Sequence, residues 1–301
     1  MVTSRAPCGC PPRWAVRSAV MQATSVATTR QSRTSMPRDY RSAGGEVNLS
    51  CSAATLGRLF NLLILIAGVA AGGVASVAGF GIGSLLTPVF VTQVATQVAV
   101  AAVSIPHVVG TAARFWLLRG QVDRRLLVQF GLTSAAGGLT GALLQTRTGS
   151  AGLTILFGAL LLFVSASELT GLSKRMRFRG AAAWIAGALS GLLGGMVGNQ
   201  GGIRSAAMLG IDVPRQAFVG TATAVALIVD GARLPVYLAT SGDELRALWP
   251  TIVFATIGVV CGTLFGHRAL VRIPEEKFRP TVAVLLAILG AAMLFVGLRG
   301  Q

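Results

Sequence analysis

The feature that most limits how this chain can fold is the length of its intervals without charged side chains. Residues 59–113 contain no Asp, Glu, Lys or Arg. Further charge-free intervals cover residues 126–146, 148–167, 180–203, 247–267 and 280–298. An α-helix needs roughly 20 apolar residues to cross the hydrocarbon core of a bilayer. The sequence therefore predicts an all-α integral membrane protein.

The composition agrees with a lipid environment. Only 12% of the residues are charged, whereas a soluble domain carries about 25%. Basic residues outnumber acidic ones, 26 to 10, and they lie in short clusters between apolar runs, which is typical of the loops of a multi-pass membrane protein. We therefore expect the lipid bilayer, and no nucleic acid, as a partner.

The charge-free intervals accommodate about eight transmembrane helices. We predict them at residues 56–78, 95–118, 126–146, 150–170, 181–198, 214–239, 247–268 and 278–298. Two short apolar segments, 80–92 and 199–210, directly follow the first and fifth predicted helices. Each is too short to cross the bilayer alone, so we interpret each as a glycine-led half-helix or re-entrant segment.

Residues 1–55 differ from the rest of the chain. They contain seven arginines against the acids Asp39 and Glu46, and they have no apolar run long enough to form a core. This composition predicts a disordered tail, or a tail upstream of the true start at Met21 or Met36. An organellar transit peptide, which is also Arg-rich, Ser-rich and poor in acids, is the alternative.

Two segments of the chain resemble each other, which predicts two homologous membrane repeats over residues 56–172 and 180–299. The corresponding positions are Gly79-Phe80-Gly81-Ile82-Gly83 with Gly198-Asn199-Gln200-Gly201-Gly202, Gln97 with Gln216, Arg114 with Arg233, and, after a two-residue insertion, Gly137 and Gly141 with Gly258 and Gly262. Paired short segments interrupted by glycine are the best sequence indication of a binding site in a transporter.

The relative orientation of the two repeats has two alternatives. If the short segments are re-entrant, the repeats are parallel, and the basic loop at 268–279 lies outside the cell. If the short segments cross fully, the repeats are inverted, and the basic loops at 119–125, 174–179 and 268–279 share the cytoplasmic side, as the positive-inside rule requires. Charge favours the inverted arrangement, and segment length favours the parallel one.

The two glycine motifs are the first candidate substrate site. Glycine lets the backbone unwind and lets a ligand approach closely, and a half-helix that begins near Ser84 would direct free N–H groups towards an anion. Packing of small residues between helices is the alternative explanation. The candidate substrate-binding residues are Gly79, Gly81, Gly83, Ser84 and Thr87 in the first motif and Asn199, Gln200, Gly201 and Gly202 in the second.

Ionisable residues inside the predicted helices form the second candidate group. Arg114 and Arg233 are candidate substrate-binding residues, and His107 and Asp230 are candidates for a coupling or structural role. Asp230 and Arg233 are three residues apart on one helix and can neutralise each other. Arg114 has no acid within reach on its own helix, so it binds an anion, contacts another helix or extends to the interface.

This chain lacks the residues that other classes of protein need for their function. Two histidines in the whole chain and a single acid near the middle of a predicted helix are too few for an enzyme, and no nucleotide-binding loop is present. The cysteines Cys8, Cys10, Cys51 and Cys261 form neither a disulfide framework nor a metal motif. We therefore expect no catalytic residue, no metal, no cofactor and no nucleotide.

Each glycine motif lies at the end of the first helix of one half of the chain. With these two motifs the chain resembles the sulfite exporter TauE/SafE family over about residues 56–299. The second motif departs from the family pattern, because Asn199 and Gln200 interrupt the usual glycine run. The resemblance implies secondary transport of a small sulfur-containing anion, such as sulfite or a sulfonate, across a bacterial inner membrane. An anion channel and a membrane-embedded scaffold are the alternatives, and a homo-oligomer is left open.

Overall fold

The computed structural model describes residues 46–172, 181–198, 201, 215–270 and 275–300, and every regular element in these ranges is helical. The helices are α1 (Glu46–Ala78), α2 (Ile82–Val91), α3 (Thr96–Leu118), α4 (Arg124–Gln145), α5 (Ser150–Leu169), α6 (Ala181–Val197), α7 (Arg215–Thr240), α8 (Gly242–Ala247), α9 (Trp249–Leu270) and α10 (Glu275–Leu298). The chain divides into the units Met1–Phe60 and Asn61–Gln301, and every contact described in this article lies within the second.

The prediction of an all-α membrane protein is confirmed. Six helical segments of the described chain are long and apolar enough to cross a bilayer: Thr55–Ala78, Thr96–Gln121, Arg124–Gln145, Ser150–Leu169, Ala217–Thr240 and Phe278–Leu298. The other two predicted spans, 181–198 and 247–268, correspond to α6 and α9, whose apolar parts Ala181–Val197 and Trp249–Phe265 are shorter. The predicted short segment 80–92 is α2, whereas 199–210 lies, except for Gly201, outside the described residues.

Helix α1 begins earlier than the sequence predicted. It starts at Glu46, so residues 46–55 of the predicted disordered tail are helical instead. Residues 46–55 contain neither Pro nor Gly, and adding residues to an existing helix costs far less than starting a new one. Residues 1–45, with the rest of that prediction, lie outside the described residues.

Glycines bring the helices of two pairs, α4 with α6 and α1 with α9, into backbone contact. A Cβ atom added at any of these glycines would overlap a carbonyl oxygen of the partner helix, as expected for close-packed membrane helices. The overlaps are Gly137 with Ala188, Gly191 with Ser134 and Gly195 with Gly138 in the first pair, and Gly72 with Val259, Gly258 with Leu65 and Gly262 with Val69 in the second.

The two helix pairs have the same contact pattern, which supports the proposed repeat. Gly137 faces the carbonyl of Ala188, and Gly262 faces the carbonyl of Val69, the residue that aligns with Ala188. By these contacts Gly137 corresponds to Gly262. The sequence comparison paired Gly137 with Gly258, which lies one helical turn before Gly262. The contacts therefore relate the later helices in a register one helical turn from the predicted one, and the two homologous repeats stay a prediction.

Several helix ends that border basic loops lie on one face of the molecule. The start of α7 contacts the end of α3, because a Cβ at Gly220 would lie 3.2 Å from the carbonyl of Leu118. Asp123 N donates to Thr221 Oγ1 over 2.9 Å, and Arg279 at the start of α10 lies 3.6 Å from Glu168 at the end of α5. Phe218, near the start of α7, lines one cavity together with Glu168 and Arg279. The helix ends that border the three basic loops therefore lie near one another, as the inverted arrangement requires.

Candidate functional site

The break between α1 and α2 lies in the first glycine motif. Gly79 and Gly81 have φ angles of 80° and 134°, a backbone conformation that other residues rarely adopt. Helix α2 therefore begins at Ile82, and its N-cap residue, Gly81, has no side chain to accept a hydrogen bond from the first turn. Within the described part of the chain no side chain caps its first backbone N–H groups, so these groups can bind another acceptor.

The two glycine motifs meet inside the molecule. Gly198, the counterpart of Gly79, also has a positive φ angle, 75°. A Cβ atom at Gly83 would overlap the carbonyl oxygen of Gly198, and one at Gly201 would overlap Cβ of Phe80. The remaining predicted residues of the second motif, Asn199, Gln200 and Gly202, lie outside the described residues.

A small cavity lies where the motifs meet. Seven of the predicted site residues line it: Gly79, Gly81, Gly83, Ser84, His107, Arg114 and Gly201. Thr87, which was predicted with them, is fully buried one turn further along α2 and is not part of the lining. The structure thus brings together glycines from both motifs and two ionisable side chains of α3.

Asp230 of α7 lies at the centre of a buried ionic network. Its Oδ2 atom lies 2.7 Å from Nδ1 of His107. Its Oδ1 atom accepts a hydrogen bond from Nε of Arg233 over 3.0 Å and forms an ion pair with Nη2 at 2.8 Å. Arg233 also donates through Nη1 to the carbonyl of Gly194 over 2.6 Å. The predicted pairing of Asp230 with Arg233 is therefore present, and Arg233 does not line the cavity.

Arg114 is in a different situation from Arg233. Its Nη1 atom donates to the carbonyl of Ala75 at the end of α1, and its side chain lines the cavity. Only 5% of the residue is exposed, yet its Nε atom has no hydrogen-bond partner among the described residues. Since a buried unpaired donor on a charged group is costly, this guanidinium is available to a ligand.

The sequence match to known families agrees with this geometry. The chain matches the family described as sulfite exporter TauE/SafE over residues 64–293. The chain belongs to the TauE/SafE family. The match covers both glycine motifs and the ionic network, and it confirms the resemblance that the motifs indicated. No curated protein and no solved structure matches the chain.

TauE/SafE proteins are membrane transporters. Together with six helical segments long enough to cross a bilayer, this membership makes the chain an integral multi-pass membrane protein of a transporter family. The apolar surface agrees, because many large side chains are exposed where they can contact lipid, for example Trp116, Leu132, Ile185, Phe265 and Ile288.

Sequence reasoning missed two residues of this candidate site in the TauE/SafE chain. The hydroxyl of Tyr237, one turn after Arg233, donates to the carbonyl of Gly195, and the Tyr237 ring lies 5.8 Å from the Arg233 guanidinium carbon. Phe80 lines the cavity and also lines a second cavity beside Glu168 and Arg279. The rarity of tyrosine, with two in the chain, was the signal that could have singled out Tyr237.

The contact between the two motifs yields a first test. Replacing Gly83 by Ala is expected to reduce transport at least tenfold and to lower the melting temperature in detergent, because the new methyl group meets the backbone of Gly198 and such overpacking costs about 1–3 kcal/mol. Gly231→Ala is the matched control, since a Cβ there has no neighbour within 4 Å. Similar behaviour of both variants would mean that the motifs do not touch.

Proposed function

We propose that this protein is a secondary transporter that carries a small oxyanion across the cytoplasmic membrane, with the cavity at the start of α2 as its substrate site. The observation that carries the proposal is the position of Arg114. Its guanidinium is buried, lines the cavity beside the first turn of α2 and has an unpaired donor among the described residues.

The chemistry of the lining matches an oxyanion. A guanidinium offers a planar set of donors that fits the oxygens of such an anion in pairs. The first-turn N–H groups of α2 add donors and the positive end of the helix dipole. Ser84, which is 2% exposed and lines the same cavity, adds a hydroxyl group.

The balance of charge also favours an anion. Arg114 and Arg233 bring two positive charges into the buried region, and Asp230 brings one negative charge. An uncompensated charge away from water is energetically expensive. A bound anion beside Arg114 would remove the excess, because Asp230 is already paired with Arg233 through a hydrogen bond and an ion-pair contact.

The position of the cavity favours transport rather than permanent binding. It lies at the crossing of two glycine-interrupted segments, one from each proposed repeat, which is where transporters of this architecture place their substrates. We place the face that carries the basic loops in the cytoplasm, following the positive-inside rule. Family membership supports a sulfur-containing anion, such as sulfite or a sulfonate, as the substrate, and a bacterial inner membrane as the location.

The proposal is tested in proteoliposomes that contain the purified protein and no nucleotide. We expect saturable uptake of radiolabelled methanesulfonate or sulfite, accelerated by the same anion inside the vesicles, and weak competition by acetate. Uptake without saturation or counter-flow would identify a channel instead. Absence of both uptake and anion binding in folded protein would contradict a transport function and favour the scaffold alternative.

A further inference from the structure

His107 has one ring nitrogen in the ionic network and another that the network leaves unused. Its Nδ1 atom lies 2.7 Å from Asp230 Oδ2 and 3.5 Å from Thr111 Oγ1. The residue is 8% exposed and lines the cavity. Its Nε2 atom is therefore the ring nitrogen that remains for a substrate in the cavity.

Asp230 determines which nitrogen can change its protonation. A carboxylate next to Nδ1 holds a proton on that nitrogen, so the neutral ring presents an unprotonated Nε2 atom. In this state Nε2 is an acceptor and repels the oxygens of an anion. After protonation at Nε2 the ring is a donor at both nitrogens and can hydrogen-bond to the anion.

The net charge of the groups around His107 can be counted. Arg114 from α3 and Asp230 and Arg233 from α7 surround it. The rest of the described cavity lining, from α1, α2, α7 and the two glycine motifs, adds no titratable side chain. With His107 neutral, these groups carry one positive charge in excess. A monoanion balances that excess, whereas a dianion leaves one negative charge over.

We propose that a dianion enters the site together with one proton, which binds to Nε2 of His107, and that a monoanion enters without a proton. This inference rests on the proposed function and specifies how that site distinguishes its substrates. The proton comes from bulk water, and no covalent bond forms or breaks in the substrate. Transport of a dianion is thereby coupled to a proton moving in the same direction.

Sulfate and methanesulfonate are the probes, because both are tetrahedral sulfur oxyanions and they differ by one charge. Proton uptake is measured on the wild-type protein by isothermal titration calorimetry in buffers of different ionisation enthalpy. We expect close to one proton bound per sulfate and none per methanesulfonate. Between about pH 8 and pH 6, where histidine titrates, sulfate affinity should rise by up to roughly tenfold per pH unit as the pH falls.

His107→Gln supplies the second measurement. Glutamine retains hydrogen-bonding groups but cannot take up the proton, so sulfate binding should lose its pH dependence and weaken most at acidic pH. Methanesulfonate binding should change much less. A general loss of structure would weaken both anions equally at every pH.

The outcomes separate this inference from the proposed function. If both anions bind and neither brings a proton, or if His107→Gln still takes up a proton with sulfate, the inference is wrong and the proposed function stands. If folded wild-type protein binds neither anion at any pH, the proposed function fails and the inference fails with it.

Discussion

Replacing Asp230 by Asn should cause the largest loss of stability of any single substitution in this protein. Asp230 is 0% exposed and Arg233 is 1% exposed, so the substitution leaves a guanidinium buried without its carboxylate. Removing one partner of a buried ion pair costs about 3–5 kcal/mol. We expect a lower melting temperature in detergent and a smaller fraction of folded protein.

Asp243→Asn is the matched control for this prediction. Asp243 pairs with Arg246 over 3.0 Å at the same spacing of three residues, but the two side chains are 94% and 85% exposed. Water screens such a pair, and its loss is expected to leave the melting temperature almost unchanged. Equal losses in the two variants would contradict a structural role of the buried network. In the Asp230 variant that does fold, anion affinity should fall less than in variants of Arg114.

Replacing Arg114 by Gln is expected to have the largest effect on substrate binding. A hydrogen bond to a charged group contributes about 1.5–3 kcal/mol, which corresponds to roughly a 10- to 100-fold loss of affinity. Arg114→Lys should weaken binding less, because lysine keeps the charge but loses the planar arrangement of donors. Binding isotherms for methanesulfonate with the wild type and both variants measure the difference.

Arg119→Gln removes the same charge close by and serves as the control. Arg119 follows the last residue of α3, is exposed and lies over the ring of Trp116 at 3.9 Å. Its loss should leave affinity unchanged. If Arg114→Gln binds the anion as tightly as the wild type, Arg114 does not contact the substrate, and the site consists of the glycine motifs alone.

Much of the architecture was predictable because lipid imposes simple rules. Backbone groups in a bilayer must be satisfied within helices, so charge-free intervals such as 126–146 located α4 within a few residues. The Gly79 and Gly81 pattern located the break between α1 and α2, since few residues other than glycine adopt those backbone angles. The pairing of Asp230 with Arg233 followed from helical spacing alone.

Contacts between distant segments could not be predicted in this way. Spacing along one helix does not indicate which helix faces it, so the sequence could not show that His107 of α3 contacts Asp230 of α7. It could not show that Tyr237 donates a hydrogen bond to the carbonyl of Gly195, or that Arg233 donates one to the carbonyl of Gly194. The start of α1 at Glu46 was also missed. Apolar composition indicates which part of a helix lies in lipid, but it does not indicate how far the helix extends outside the bilayer.

The sequence by itself determined that this chain is a helical membrane protein with two glycine motifs and few buried charges, because the cost of burying charge in lipid can be assessed residue by residue. Helical spacing already favoured Arg114 over Arg233 as the anion ligand, because Asp230 is three residues from Arg233. Only the tertiary structure shows that Arg114 lines the cavity and that Arg233 does not. Arg114 and Arg233 are equivalent in the sequence repeat, but Asp230 accompanies Arg233 alone, and the cavity opens beside Arg114. The position of the cavity depends on how α1, α2, α3 and α7 pack against one another, which no local pattern encodes.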